Sequence, residues 1–208
     1  MASPDLVDVA LVLAVDVSSS IDNGDFALQM QGIAKALRQK DVFDAIQAGP
    51  AQAIALILMQ WSTSNKQSVF GPWRVVHTAA DLEAAAQAVE SAPRDWQPGA
   101  TGLAAGLIYA TDLFDRLPVQ ARKRMIDVSG DGVESDGGNV VVARAAALAR
   151  AITINGLPMM AGSPLIADYY AQLVIGGDGC FIEPARNILD FADAMHRKLL
   201  REISSQVT

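Results

Sequence analysis

Apolar positions along the 208-residue chain repeat in two ways, as short unbroken runs and as stripes of helical spacing. Residues 7–15 form a continuous apolar run of the buried-strand type, and 53–61 ("AIALILMQW") form another. Between them, residues 24–39 set Phe26, Met30, Ile33, Ala34 and Leu37 on one helical face. The segment 69–76 ("VFGPWRVV") reads as a strand, but Pro72 inside it suits only a sheet edge. About seven residues part it from 53–61, too few for a parallel crossover, so an antiparallel hairpin is expected.

Further along, 79–91 reads as an Ala-rich helix and 101–117 as a stronger one carrying Leu103, Leu107, Ala110, Leu113, Phe114 and Leu117. A strand is expected at 124–128, a helix at 139–151, a strand at 152–157 and a helix at 164–173. Phe181 and Ile182 are placed in a terminal strand, and 187–203 is a final helix aligning Ile188, Phe191, Met195 and Leu199. This alternation predicts an α/β fold, a three-layer αβα sandwich with a mostly parallel central sheet and one antiparallel edge strand. No linker or repeat interrupts it, so residues 1–208 are read as a single domain.

Composition narrows the function. Hydrophobic residues make up 51% of the chain, which excludes disorder, and the net charge of −7 argues against a nucleic-acid footprint. Arg122-Lys123-Arg124 and Arg197-Lys198…Arg201 are read as ordinary solvated charge. Cys180 is the only cysteine, so no intramolecular disulfide forms, and it reads as a small buried residue. No run approaches the ~20 apolar residues of a membrane span. Met1–Asp5 lack a basic leader region; the compartment is expected to be periplasmic or extracellular if a signal peptide has been removed, and cytoplasmic otherwise.

The candidate chemistry lies just past the strand ends. The first strand delivers Asp16, Ser18 and Ser20, the 124–128 strand delivers Asp131 on a Gly-rich turn, and the loop before the 101–117 helix delivers Thr101. In a parallel sheet these loops share one rim, where ligands of open α/β sheets sit. All five groups are hard oxygen donors, which suits Mg²⁺, Mn²⁺ or Ca²⁺ rather than Zn²⁺. Taken singly, each has a plainer reading: a Ser-rich turn before a helix, a Gly-Asp-Gly turn, a threonine N-cap. Only their joint occurrence at element ends favours a site.

Asp16-Val17-Ser18-Ser19-Ser20, Gly99-Ala100-Thr101 and Ser129-Gly130-Asp131-Gly132 together resemble the three-part metal-ion-dependent adhesion site of von Willebrand factor A domains. The resemblance runs from about residue 7 to 203, and is nearest to an uncharacterised bacterial subgroup of these domains. It implies that Asp16, Ser18, Ser20, Thr101 and Asp131 are direct or water-mediated metal ligands. It also implies that an Asp or Glu of a protein partner completes the ion's coordination. In domains of the resembled kind the last helix can shift when the rim engages a ligand, but nothing in the 187–203 sequence itself demonstrates two positions. Two features depart from or add to the pattern. A Ser-Gly pair precedes Asp131 where Thr or Ser more often stands directly before Asp-Gly, and Glu134 and Asp136 add acids that serve either a second ion or the cap of the helix near Asn139.

The expected function is therefore a metal-dependent protein-interaction module of adhesion type, not an enzyme. The alternative is a metal-dependent hydrolase or phosphotransferase using the same rim; a third reading is a structural domain indifferent to divalent ions. Against catalysis, the chain lacks a phosphate-binding G-x-x-x-x-G-K-[ST] loop, a G-x-G-x-x-G and a G-x-S-x-G elbow. His77 and His196 fall outside the rim loops, and no lysine is evident there. Trp61 and Trp73 are expected to pack the core or sheet edge, with Trp96 at the loop before Thr101 able to flank the rim.

Overall fold

The computed structural model describes residues 6–95, 99–160 and 163–204. Strand β1 (Leu6–Asp16) is the centre of the sheet because both of its faces are apolar. Residues Val9, Leu11, Leu13 and Val15 face one core, and Ala10, Val12 and Ala14 face the other. Strands β2 (Ile54–Trp61) and β5 (Gln120–Gly130) flank it in parallel, and β6 (Ile152–Pro158) pairs with β5 in parallel.

The antiparallel edge is present but broken. Two short strands, β3 (Gln67–Val69) and β4 (Arg74–Val76), lie end to end along β2, giving the order β3-β2-β1-β5-β6 with β4 beside β2. Gly71, at φ +84°, and Pro72 fall between them. A proline cannot donate to the ladder, so the single strand expected at 69–76 splits around it.

Helices cover both faces. Helices α1 (Asn23–Leu37), α2 (Lys40–Ala48), α3 (Ala79–Glu90) and α7 (Phe191–Ser204) contribute Ile33, Leu37, Ile46, Leu82 and Leu199 to the Leu11 side. Helices α4 (Leu103–Leu113) and α5 (Val140–Ala149) contribute Leu107 and Ala143 to the Val12 side. Helix α6 (Leu165–Tyr169) runs into one π-helical turn, Tyr170–Val174, whose Tyr170 is buried on that side too. The Phe181–Ile182 strand is reduced to a single bridge between Ile182 and Gly156.

This topology builds the rim. Strand β4 pairs with the start of β2, so the chain leaves it at the end of the sheet opposite the rim. Helix α3 then returns along the Leu11 face and α4 lies on the Val12 face, so the chain changes faces near the C-terminal strand ends, where the Gly99 carbonyl accepts the Ser19 N–H. That crossing is what brings Thr101 to the ends of β1 and β5. Among the described residues no helix is long and apolar enough to cross a membrane.

Two readings of the sequence are corrected. Lys198 is fully buried, not solvated, within 2.8 Å of Asp127 and 2.5 Å of Glu202. Cys180 is only partly buried.

Candidate metal centre

Asp16 closes β1 and is fully buried. Its Oδ1 accepts the Ser18 N–H at 2.7 Å, folding the backbone back on the carboxylate as in an Asx turn. Its Oδ2 is buried and has no hydrogen-bond partner. Ser18 is buried below the surface, and its hydroxyl stands 3.2 Å from that of exposed Ser20. Ser20 Oγ in turn donates to Asp131 Oδ1 at 2.6 Å. Four of the five expected residues thus form a connected set, its Ser20–Asp131 bond joining residues 111 positions apart.

The fifth is adjacent. Thr101 is largely buried, and a Cβ built on Gly132 would stand 3.1 Å from its Oγ1, which sets the hydroxyl against the residue following Asp131. Its backbone is paired twice with Ser135: the Thr101 N–H donates to Ser135 Oγ and the Ser135 N–H to the Thr101 carbonyl. Gly102 is obligatory here, because a Cβ would come within 2.9 Å of three backbone atoms of residues 62–64.

Electrostatics show what the set lacks. Burial pushes the Asp16 carboxyl up to about 7; hydrogen bonds from Ser18 oppose this, and the charge of Asp131 adds to it. Asp131 is raised too, again chiefly by burial. Burying a carboxylate without a compensating charge is unfavourable, and no basic side chain pairs with either acid among the described residues. A divalent cation would supply the missing charge, and two carboxylates with three hydroxyls are donors of the hard class. The residues fit such an ion. Among the described residues no group of three His, Cys, Asp or Glu is placed to hold a metal, so an ion here would need the hydroxyls as well.

The neighbouring acids have other tasks. Glu134 Oε2 accepts the Ala104 N–H at the start of α4, and its Oε1 accepts those of Asp136 and Gly138. Asp136 accepts the N–H of Ser64. Of the two expected uses, Glu134 is thus a cap, but of α4 rather than of the helix near Asn139, which Asn139 caps itself.

Three residues near the rim escaped the sequence. Arg94 donates to the carbonyls of Val17 at 2.9 Å and Ser18 at 3.2 Å, and to Asn23. Tyr170 is buried with its hydroxyl unpaired, and the charges of Asp16 and Asp131 add to burial in raising its pKa well above the ordinary value. Lys66 Nζ lies 3.8 Å from where a Gly99 Cβ would stand, so a lysine does border these loops. His196 pairs with Asp41 at 2.8 Å and His77 donates its N–H to Asp81, both away from the rim. Trp61 and Trp73 are buried as expected, whereas Trp96 lies outside the described residues.

Comparison with protein families places nearly the whole chain. Residues 6–207 match the model described as "Protein of unknown function (DUF1194)". The chain belongs to this family. Comparison of this DUF1194 chain with curated proteins finds no match.

Solved structures establish its fold as that of von Willebrand factor A domains. The vWF domain of the type V pili tip protein Mfa5 from Porphyromonas gingivalis superposes with a TM-score of 0.67 at 12% identity, over 97% of both chains. The pilus adhesin SpaC from Lactobacillus rhamnosus GG gives 0.67 at 16% identity, over 95% of this chain and 30% of that one. Proximal thread matrix protein 1 of the mussel byssus, with a zinc-occupied MIDAS motif, gives 0.64 at 12% identity, over 96% of this chain and 47% of its own. The DUF1194 chain therefore spans less than half the length of the last two. At these identities the likeness is one of fold.

Proposed function

We propose that the rim holds a divalent ion through Asp16, Ser18, Ser20, Thr101 and Asp131, and that the domain, acting as one unit, binds a protein partner through a carboxylate presented to that ion. The observation that carries this reading is Asp16 Oδ2, a fully buried carboxylate oxygen without a partner, beside the Ser18–Ser20–Asp131 chain. A bound ion would neutralise both acids and offer an open coordination position to an anionic oxygen. Asp16 and Asp131 supply the charge, the hydroxyls orient around it, and exposed Ser20 marks the side open to a partner. The adhesin neighbours support a protein partner outside the cytoplasm, and the zinc-bearing mussel protein adds Zn²⁺ to the ions to test alongside Mg²⁺, Mn²⁺ and Ca²⁺.

The test is thermal unfolding of the EDTA-stripped protein with each ion, beside Asp16→Ala. An ion at 100 times its dissociation constant stabilises by about 2.7 kcal/mol. For a chain of this size that raises the melting temperature by about 5–11 °C. A shift in wild type that Asp16→Ala lacks supports the site, and partner capture that EDTA abolishes supports the interaction. Absence of both a shift and binding heat for every ion refutes it. Lys66 is the observation favouring a phosphotransferase; turnover of phosphate esters lost in both Asp16→Ala and Lys66→Met would replace the adhesion reading.

A further inference from the structure

Tyr170 approaches the rim from its buried side. It opens the π-helical turn Tyr170–Val174 and is fully buried. Such turns are rare and concentrate at functional sites. Its hydroxyl has no hydrogen-bond partner, an expensive condition for a buried polar group. A phenylalanine would fill the same ring space without that cost.

Two glycines make room for this side chain. A Cβ on Gly156 would come within 2.8 Å of the ring atom Cδ1. A Cβ on Gly130 would stand 2.6 Å from the Tyr170 hydroxyl and 2.9 Å from Asp16 Oδ2. Gly156 and Gly130 lie on the adjacent strands β6 and β5, and Gly130 immediately precedes Asp131. Two orphaned, buried oxygens, one a donor and one an acceptor, therefore converge at the backbone of Gly130. The same geometry explains the Ser-Gly pair before Asp131: the tyrosine hydroxyl takes the space a side chain at 130 would need.

We infer that Tyr170 is a positioning residue of the metal rim: its hydroxyl and Asp16 Oδ2, unpaired here, bond once an ion is bound, the hydroxyl donating and holding the carboxylate for the ion. The inference rests on the metal reading above. Asp16 Oδ1 is already turned to the Ser18 N–H, so a donor on Oδ2 fixes the second oxygen and stops the carboxylate from rotating. A carboxylate oxygen has lone pairs enough to accept this bond and face an ion as well. Partners of this kind behind a metal ligand set its orientation and affinity. The adjacent Tyr169 reaches the other half of the rim: its hydroxyl accepts the N–H of Glu134, the residue that caps α4 beside Thr101.

The test is calorimetric titration of stripped wild type and Tyr170→Phe with the ion that binds wild type best. Metal-free melting temperatures and the tyrosine ultraviolet difference spectrum on metal addition are recorded alongside. The expected result is an affinity about ten- to a hundredfold weaker in Tyr170→Phe, with an unchanged metal-free melting temperature. Wild type should show a tyrosine difference signal that the variant lacks. Equal affinities overturn the inference and leave the metal site standing. A lowered metal-free melting temperature also overturns it, because the hydroxyl then serves the fold. Wild type that binds no ion refutes the metal reading, and this inference with it.

Discussion

Lys198 gives the sharpest test of the forces in the interior. Its ammonium lies 2.8 Å from Asp127 Oδ1 on β5 and 2.5 Å from Glu202 Oε1 one turn further along α7. Glu202 Oε1 also accepts from Asn155 Nδ2 on β6 at 2.9 Å. Two carboxylates thus share one cation in a fully buried cluster. Burial lifts the Glu202 carboxyl to about 7, with Lys198 pulling down and Asp127 pushing up; Asp127 is raised by burial too, against the pull of Lys198.

Lys198→Met removes the cation and keeps most of the volume. Breaking a buried pair from one side costs about 3–5 kcal/mol. At about 2–4 °C per kcal/mol, the melting temperature should fall by about 6–20 °C. The loss should depend on pH in a definite direction. A carboxyl whose folded pKa is raised holds a proton that the unfolded chain has already released. Its contribution to stability is therefore lost as pH climbs from the ordinary carboxylate range to about 7. Without Lys198 both carboxyls rise further, so the variant goes on losing stability to higher pH than wild type does, and its deficit is smaller near pH 5 than near pH 8. Circular-dichroism melts of both proteins across that range measure the difference. Adding Asp127→Asn and Glu202→Gln to the variant should recover much of the loss near pH 8. A deficit equal at both ends of the range would refute the charge account and leave packing as the role of Lys198.

Arg94→Ala should release the carbonyls of Val17 and Ser18, costing about 2 kcal/mol and lowering the melting temperature by about 4–8 °C; an unchanged melt and unchanged metal response would show that the loop stands without it. Thr78 and Asp81 form a reciprocal capping box on α3, so Thr78→Ala should cost about 1 kcal/mol in a chemical-denaturation midpoint, independent of divalent ions.

The strands at the centre were legible because a strand buried on both faces writes itself as an unbroken apolar run, as in 7–15 and 53–61. Strand β5 begins four residues earlier than expected because Gln120, Arg122 and Lys123 are exposed and carry no apolar signal. Helix α2 was missed: its nine residues bury only Val42 and Ile46, and Gln39 makes no side-chain cap. The buried Lys198 did leave a trace. Phe191, Ala194, Met195, Lys198, Leu199, Glu202 and Ile203 form one stripe of helical spacing, with a lysine and a glutamate at i, i+4 inside it. The five rim residues could be proposed because each lies at or near an element end: Asp16 closes β1, Ser18 and Ser20 follow it, Asp131 follows β5 and Thr101 precedes α4. Arg94 and Tyr170 could not, since what they do is decided by chain crossings far away in sequence.

The same buried cluster bears on how the rim communicates. The resemblance leaves open whether the last helix moves when a ligand engages the rim, and here α7 is tied to β5 by the buried pair of Lys198 and Asp127. Sliding the helix would open that pair at a cost of about 3–5 kcal/mol, more than the 1–3 kcal/mol of a typical coupling between sites. The rim loops are held by residues outside α7. Arg94 holds the Val17–Ser18 backbone, Ser135 and Glu134 hold the Thr101–Ala104 segment, and the Gln60 side chain secures Pro93 and Asp95 on either side of Arg94. Each clamp comes from a residue outside the ligand set, so the loops keep their geometry before any ion arrives. On the proposed reading, a site built in this way would take up an ion with little rearrangement, and selectivity for a partner would fall to the exposed groups around Ser20.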